Sequence, residues 1–252
     1  MTSVGRRLVT VLPIVVTLLI AAVVGALVVV QDHRESQQVA RADEAAEDYL
    51  SDVGMFRGDV AREVGAVAAD DPAALRRALR TAIADPPTLP APPPEGVERS
   101  ETYATALETA ETLLDRYERL DRELRRAQVA LDFVGAARDA LALRATDLVG
   151  FGPIGDSAAV RSRLIPAFVA ARDELARVRV PRGQEALAST VRDALQVVID
   201  RATVLADSID ANRSFSFSYA EEFTAAIAAV DDYATTVEGD LAEAVAALGD
   251  VR

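Results

Sequence analysis

From residue 31 to the end, apolar residues recur at steps of three and four, and no alternating run is long enough to propose a strand. Val39, Ala42, Ala46, Tyr49, Val53, Phe56, Val60, Val64 and Val67 mark a first amphipathic helix with an acidic outer face around Asp43, Glu44, Glu47 and Asp48. A short second helix is predicted after Asp71, with Asp71 as N-cap, Pro72 at the first helical position and Pro86 and Pro87 beyond its end. Residues 86–96, PPTLPAPPPEG, hold six prolines and are expected to form an extended, non-helical connector.

Over 97–149 the seam Ala110, Leu113, Tyr117, Leu120, Leu124, Ala127, Leu131, Val134, Arg138, Leu141, Ala145 and Leu148 keeps one spacing, with Arg138 as its single polar member. It predicts one continuous helix of about 80 Å. Arg138 is expected either to cover the seam with its stem and reach a neighbouring acid, or to fix register or clamp a carboxylate. GFGPIGDS at 150–157 breaks the pattern, and Asp156 or Ser157 caps the next helix. Val160, Leu164, Phe168, Leu175 and Val178 line that helix, kinked at Pro166, and PRG at 181–183 marks a bend or a reversal. Two further seams run from Ala188 to Ile209 and from Tyr219 to Leu248.

The chain begins differently. Leu8 to Val30 is an uncharged run of 23 residues, long enough at about 1.5 Å per residue to cross a hydrocarbon core of about 30 Å. A cleaved signal usually has an apolar region of about 7–15 residues. Val24-Gly25-Ala26 is an acceptable cleavage site, but cutting there leaves Leu27–Val30 as an apolar new terminus. A retained anchor is the better reading. Arg6 and Arg7 then keep a tail of residues 1–7 in the cytoplasm, 8–30 spans the lipid bilayer, and 31–252 forms an extracytoplasmic domain.

The fold expected is therefore all-α, an N-terminal transmembrane helix followed by an elongated antiparallel helical bundle or coiled-coil hairpin. The architecture resembles the sensory module of bacterial chemoreceptors, a likeness of layout that rests on no residue motif. A return span and a cytoplasmic signalling domain are not expected.

Composition removes several function classes. There are 40 acidic residues against 27 basic ones, for a net charge of −13, which opposes nucleic-acid binding. Every basic residue is arginine, as in a GC-rich bacterial genome. Cysteine is absent, so there are no disulfides, thiolate metal sites or lipid attachment through cysteine. His33 is alone and expected to be solvated, and no cofactor is expected. Acidic clusters, including Glu221, Glu222, Asp231 and Asp232, lie mostly on polar faces and lack the Glu-x-x-His pattern of di-iron bundles. No nucleophile elbow, phosphate loop, zinc-protease motif or dinucleotide fingerprint occurs, so an enzyme is not expected.

The leading reading is a membrane-anchored helical interaction or scaffold protein of a bacterial cell envelope, acting on an envelope protein or on itself. The alternative is an accessory subunit that senses a small molecule within the bundle. Two loops are unusually apolar, LVGFGPIG and SFSFSY. If the first helix rises from the membrane and helix 97–149 descends, the first of these loops faces the bilayer. With a reversal at Arg182 the second loop reaches the same end. Phe151, Ile154, Phe215 and Phe217 then form a membrane-proximal interaction patch, unless they fold back to cap the bundle.

Overall fold

The computed structural model describes the backbone of residues 5–68, 70–91 and 94–249, and the side chains of these residues apart from 5–32, 94 and 95. Of the tail and anchor expected over 1–30, residues 1–4 lie outside the described residues and 5–30 are described only as backbone of the first helix. Among the residues whose side chains are described, no helix is long and apolar enough to cross a membrane. Regular structure among them is entirely helical: α1 Gly5–Gly65, α2 Pro72–Ala82, α3 Pro94–Val97, α4 Glu101–Thr112, α5 Asp115–Leu141, α6 Ala145–Val149, α7 Ser157–Ala159, α8 Ile165–Leu175, α9 Glu185–Asp210 and α10 Ala220–Ala246. They divide into two compact units, Met1–Gly58 with Asp85–Arg116, and Asp59–Ala84 with Tyr117–Arg252.

In the first unit the expected α1 seam is the core. Ala42, Ala46, Tyr49 and Val53 are buried together with Tyr103, Ala106 and Leu113 of α4 and its end. The connector closes over this core, where the Tyr103 hydroxyl donates to the Pro90 carbonyl at 3.0 Å. Its last residues are not extended, contrary to the expectation for 86–96, because Pro94 opens the one-turn helix α3. A first-turn residue needs no N–H donor, so proline is compatible there. Gly96 in that turn touches α1 so closely that a Cβ would lie 2.4 Å from the Gln38 carbonyl oxygen. Only glycine fits.

Three contacts fix where α4 starts. Gly96 lies on Gln38, the Arg99 guanidinium donates to Glu35 at 2.5 Å, and the Ser100 hydroxyl donates to Asp43 at 2.6 Å. Ser100 also caps α4, accepting the Tyr103 N–H at 2.8 Å. From that start at the level of Asp43, the shared core extends towards Val53 and Phe56. Hence α4 runs in the same direction as α1, and the expected descent after the connector is overturned.

In the second unit α2 begins as expected, with the Asp71 carboxylate accepting the Ala74 N–H at 2.8 Å. Arg76 and Arg80 of α2 donate to Asp121 of α5 at 3.0 and 3.3 Å, and Arg125 adds a third contact at 3.1 Å. Burial pushes the Asp121 carboxyl up, but hydrogen bonds from Arg76, Arg125 and Arg80, with the charge of Arg76, outweigh it and hold it below its ordinary value.

The bundle proper is α5, α8, α9 and α10. Ser157 and Arg161 meet Asp210 and Asp207, while Arg172 meets Gln196 at 2.7 Å. Low numbers thus pair with high ones, and α9 runs antiparallel to α8. The bend at 181–183 is a true reversal, turning on Gly183 at φ +82°. Arg201 of α9 holds Glu222 of α10 at 2.5 Å, and Arg138 of α5 holds Asp231 of α10 at 2.8 Å. Phe133, Leu164, Phe168, Leu195, Val198 and Val230 are fully buried in one core shared by the four helices.

The region expected as one helix over 97–149 is three. Thr105, Thr109 and Thr112 each bond back to the carbonyl four residues earlier, which loosens α4 where it ends. The second break is sharper, with Arg144 extended at φ −116°, ψ 130°. There the Ala145 N–H donates to the Tyr219 hydroxyl at 3.0 Å, a partner 74 residues away. The seam also slips. After Leu124 the buried positions are Ala130, Phe133, Val134, Ala137, Ala140 and Leu141, leaving Leu131 half-buried and Arg138 with a half-exposed side chain. A helix at 3.6 residues per turn drifts off a strict heptad, and Phe133 takes the core position. Arg138 is therefore no core anomaly but a surface ion pair.

Pro166 does not break its helix. The Ile165 N–H reaches back five residues to the Val160 carbonyl, and the wide π turn Val160–Leu164 absorbs the missing donor.

For the second unit, Leu124→Ala should cost about 2–5 kcal/mol because the side chain is fully buried, and Leu131→Ala clearly less. Equal losses in urea unfolding would contradict the slipped seam. Asp121→Asn should be less stable than the natural chain near neutral pH. Because the folded carboxyl titrates below the unfolded one, whose value is near 3.8, that gap should persist above this value and close as pH falls through the lowered folded value. A gap independent of pH would contradict the assigned charge network.

Candidate functional site

The most distinctive surface of the second unit is the end formed by 145–157 and 211–219. Ala145 bonded to Tyr219, and Ser157 bonded to Asp210, place both apolar loops there. Beneath them lies an aromatic cluster. Tyr219 packs edge-on against Phe223 at 4.9 Å and Phe168 at 6.1 Å between ring centroids, and Phe217 lies 5.5 Å from Tyr219. The Arg201 guanidinium bonds the Ser218 carbonyl and Glu222, tying the loop to the start of α10.

The structure divides the four residues expected to act together. Ile154 and Phe217 are partly buried against the core and cap the bundle. Phe151 and Phe215 do not. Phe151 is 90 % exposed and Phe215 37 % exposed. Phe151 sits between Gly150 at φ +87° and Gly152 at φ +99°, two backbone conformations that favour glycine and turn its ring away from the core. Asn212 at φ +50° closes α9, with the Arg213 N–H donating to the Ser208 carbonyl at 2.8 Å.

Polar chemistry at this end is structural. The Ser157 hydroxyl and then Arg161 hold the Asp210 carboxyl below its ordinary value. Among the described residues no group of three or more histidine or acidic side chains is placed to hold a metal ion. His33 is exposed and shares a 3.1 Å hydrogen bond with Gln37. Asp43 is not simply solvated, since it accepts from the buried Ser100.

At the other end of the same bundle is a feature that sequence reasoning missed, a groove of about 810 Å³ between α5 and α10. Its signal was present in the chain as alanines at facing positions, Ala127, Ala130, Ala244 and Ala247.

The chain matches no family model, no curated protein and no solved structure. Its function has to be read from its own surfaces.

The division at the aromatic end predicts a graded response to alanine. Phe151→Ala should change stability by about 0.5 kcal/mol or less, as for a surface side chain. Phe168→Ala should cost about 3–5 kcal/mol, with Phe217→Ala between them. A large loss at Phe151 in urea unfolding would show that its ring is part of the core.

Proposed function

We propose that the chain is a membrane-anchored, extracytoplasmic helical interaction protein of a bacterial cell envelope, without catalytic activity of its own. Residues 8–30 hold it in the bilayer with the tail of 1–7 in the cytoplasm, and the helical hairpins beyond present a docking end to an envelope protein. The observation that carries this reading is Phe151, a large apolar ring held 90 % exposed by two glycines at the tip of a well-packed bundle. Exposing such a ring wastes about 1.5–3 kcal/mol of burial, a cost that contact with a partner recovers. Phe215 on the adjoining loop extends the same surface. The length and lack of charge of 8–30 support the anchor.

Photo-crosslinking tests both halves. A benzophenone amino acid at position 151 or 215 of the full chain in intact cells should trap a discrete second protein, and one at the exposed Ala186 should not. The trapped species should sit in the membrane fraction with an N-terminus at or near Met1. Failure to trap anything at either position would remove the docking surface. A soluble product beginning at Leu27 would remove the anchor.

A further inference from the structure

The groove between α5 and α10 lies at the opposite end of the bundle from Phe151 and has a chemistry of its own. The two helices are tied at Arg138–Asp231. Beyond that pair Ala127 and Ala130 of α5 face α10, and Ala244 and Ala247 lie at its far end, all too short to fill the space between the backbones. The floor is apolar, with Ala130, Val237 and Leu241 buried and the ring of Tyr233 half-buried beside them. The rim is charged and unbalanced. Glu123, Asp240 and Glu243 stand against the single guanidinium of Arg126.

Elsewhere in the unit Arg138, Arg161, Arg172 and Arg201 are each paired with acids. The side chains of Glu123, Arg126, Asp240 and Glu243 make no hydrogen bond or ion pair among the described residues, although acids and guanidinium line one groove. Burial, and then the charge of Asp240, raise the Tyr233 phenol, so the ring stays neutral and feels a nearby carboxylate.

We propose that this groove binds lipophilic organic cations, compounds with an apolar body of aromatic size and one positive charge. The body replaces water on the Ala130, Val237 and Leu241 floor. The charge sits over the Tyr233 ring, between Asp240 and Glu243, gaining cation–π and carboxylate attraction together. A purely polar polycation leaves the floor wet, and an anion meets three carboxylates. The groove gives the small-molecule alternative a site and a ligand class, and it does not depend on the docking end.

Thioflavin T, a cationic benzothiazolium dye that brightens when held rigid, is a direct probe. The full chain in nanodiscs of zwitterionic lipid should give a saturable fluorescence rise above that of empty discs. Benzyltrimethylammonium should displace the dye, and spermine should not. The uncharged demethylated analogue of the dye should bind at least tenfold more weakly. Asp240→Asn with Glu243→Gln, both exposed positions, should weaken the dye at least tenfold with unchanged thermal unfolding, whereas Arg126→Gln should match or exceed the natural chain. Ala127→Trp, which fills the groove, should abolish binding, and Phe151→Ser should leave it unchanged. Absence of a saturable rise, equal binding of the uncharged analogue, displacement by spermine, or indifference to the double variant would each overturn the proposal.

Discussion

Burial of small aliphatic side chains along helices is the constraint on which this protein depends. There is no cysteine and no tryptophan, and the described metal-capable side chains do not gather. Each unit must therefore be held by side chains such as Val53, Leu124, Leu164 and Leu195, each fully or almost fully buried. Full burial of such a residue is worth about 1.5–3 kcal/mol. An exposed ion pair such as Arg138–Asp231 contributes about 0–1 kcal/mol. Apolar burial wins that comparison by a wide margin. The arginines act on register instead: Arg161 on Asp207 and Asp210, and Arg201 on Glu222, set which turn of one helix lies beside which turn of the next.

Aliphatic seams of this kind fill the middle of a bundle but leave its ends to be solved separately. One end of the second unit is sealed by aromatic rings, with Phe168, Tyr219 and Phe223 meeting edge to face and Ile154 and Phe217 laid over them. At the other end alanines leave the space open. The two candidate surfaces, an exposed ring and an acidic groove, thus arise from the same economy of large side chains. In the first unit the corresponding device is the bare backbone of Gly96 lying against Gln38.

The legible part of the sequence was what local periodicity controls. The seams of α1, α9 and α10 are buried along most of their length and half-buried at positions such as Phe56, Ile209 and Tyr233, and Asp71 caps α2 as its position before Pro72 implied. The illegible part depends on distant partners. The end of α5 is set by the Tyr219 hydroxyl taking the Ala145 amide, which no spacing within 97–149 encodes. The slip that exposes Arg138 comes from Phe133 entering a core made largely by α8, α9 and α10. The direction of α4 comes from contacts of Gly96, Arg99 and Ser100 with α1, and the proline-rich connector was long enough to permit either sense. Of the four apolar loop residues, Ile154 and Phe217 fold back while Phe151 and Phe215 stay exposed, a division that loop composition does not encode. At Phe151 it is set by the positive-φ glycines on both sides.

Both candidate surfaces depend on the reversal at Gly183, since an antiparallel α8–α9 pair creates the core, gathers both apolar loops at one end and puts the groove at the other. With no native cysteine, Ala158→Cys and Ala211→Cys place two spin labels at exposed positions for pulsed dipolar spectroscopy. An antiparallel hairpin brings them within roughly 25 Å, about two helix diameters. A distance approaching about 80 Å, as for 53 residues continuing along one axis, would contradict the bundle and both sites built on it.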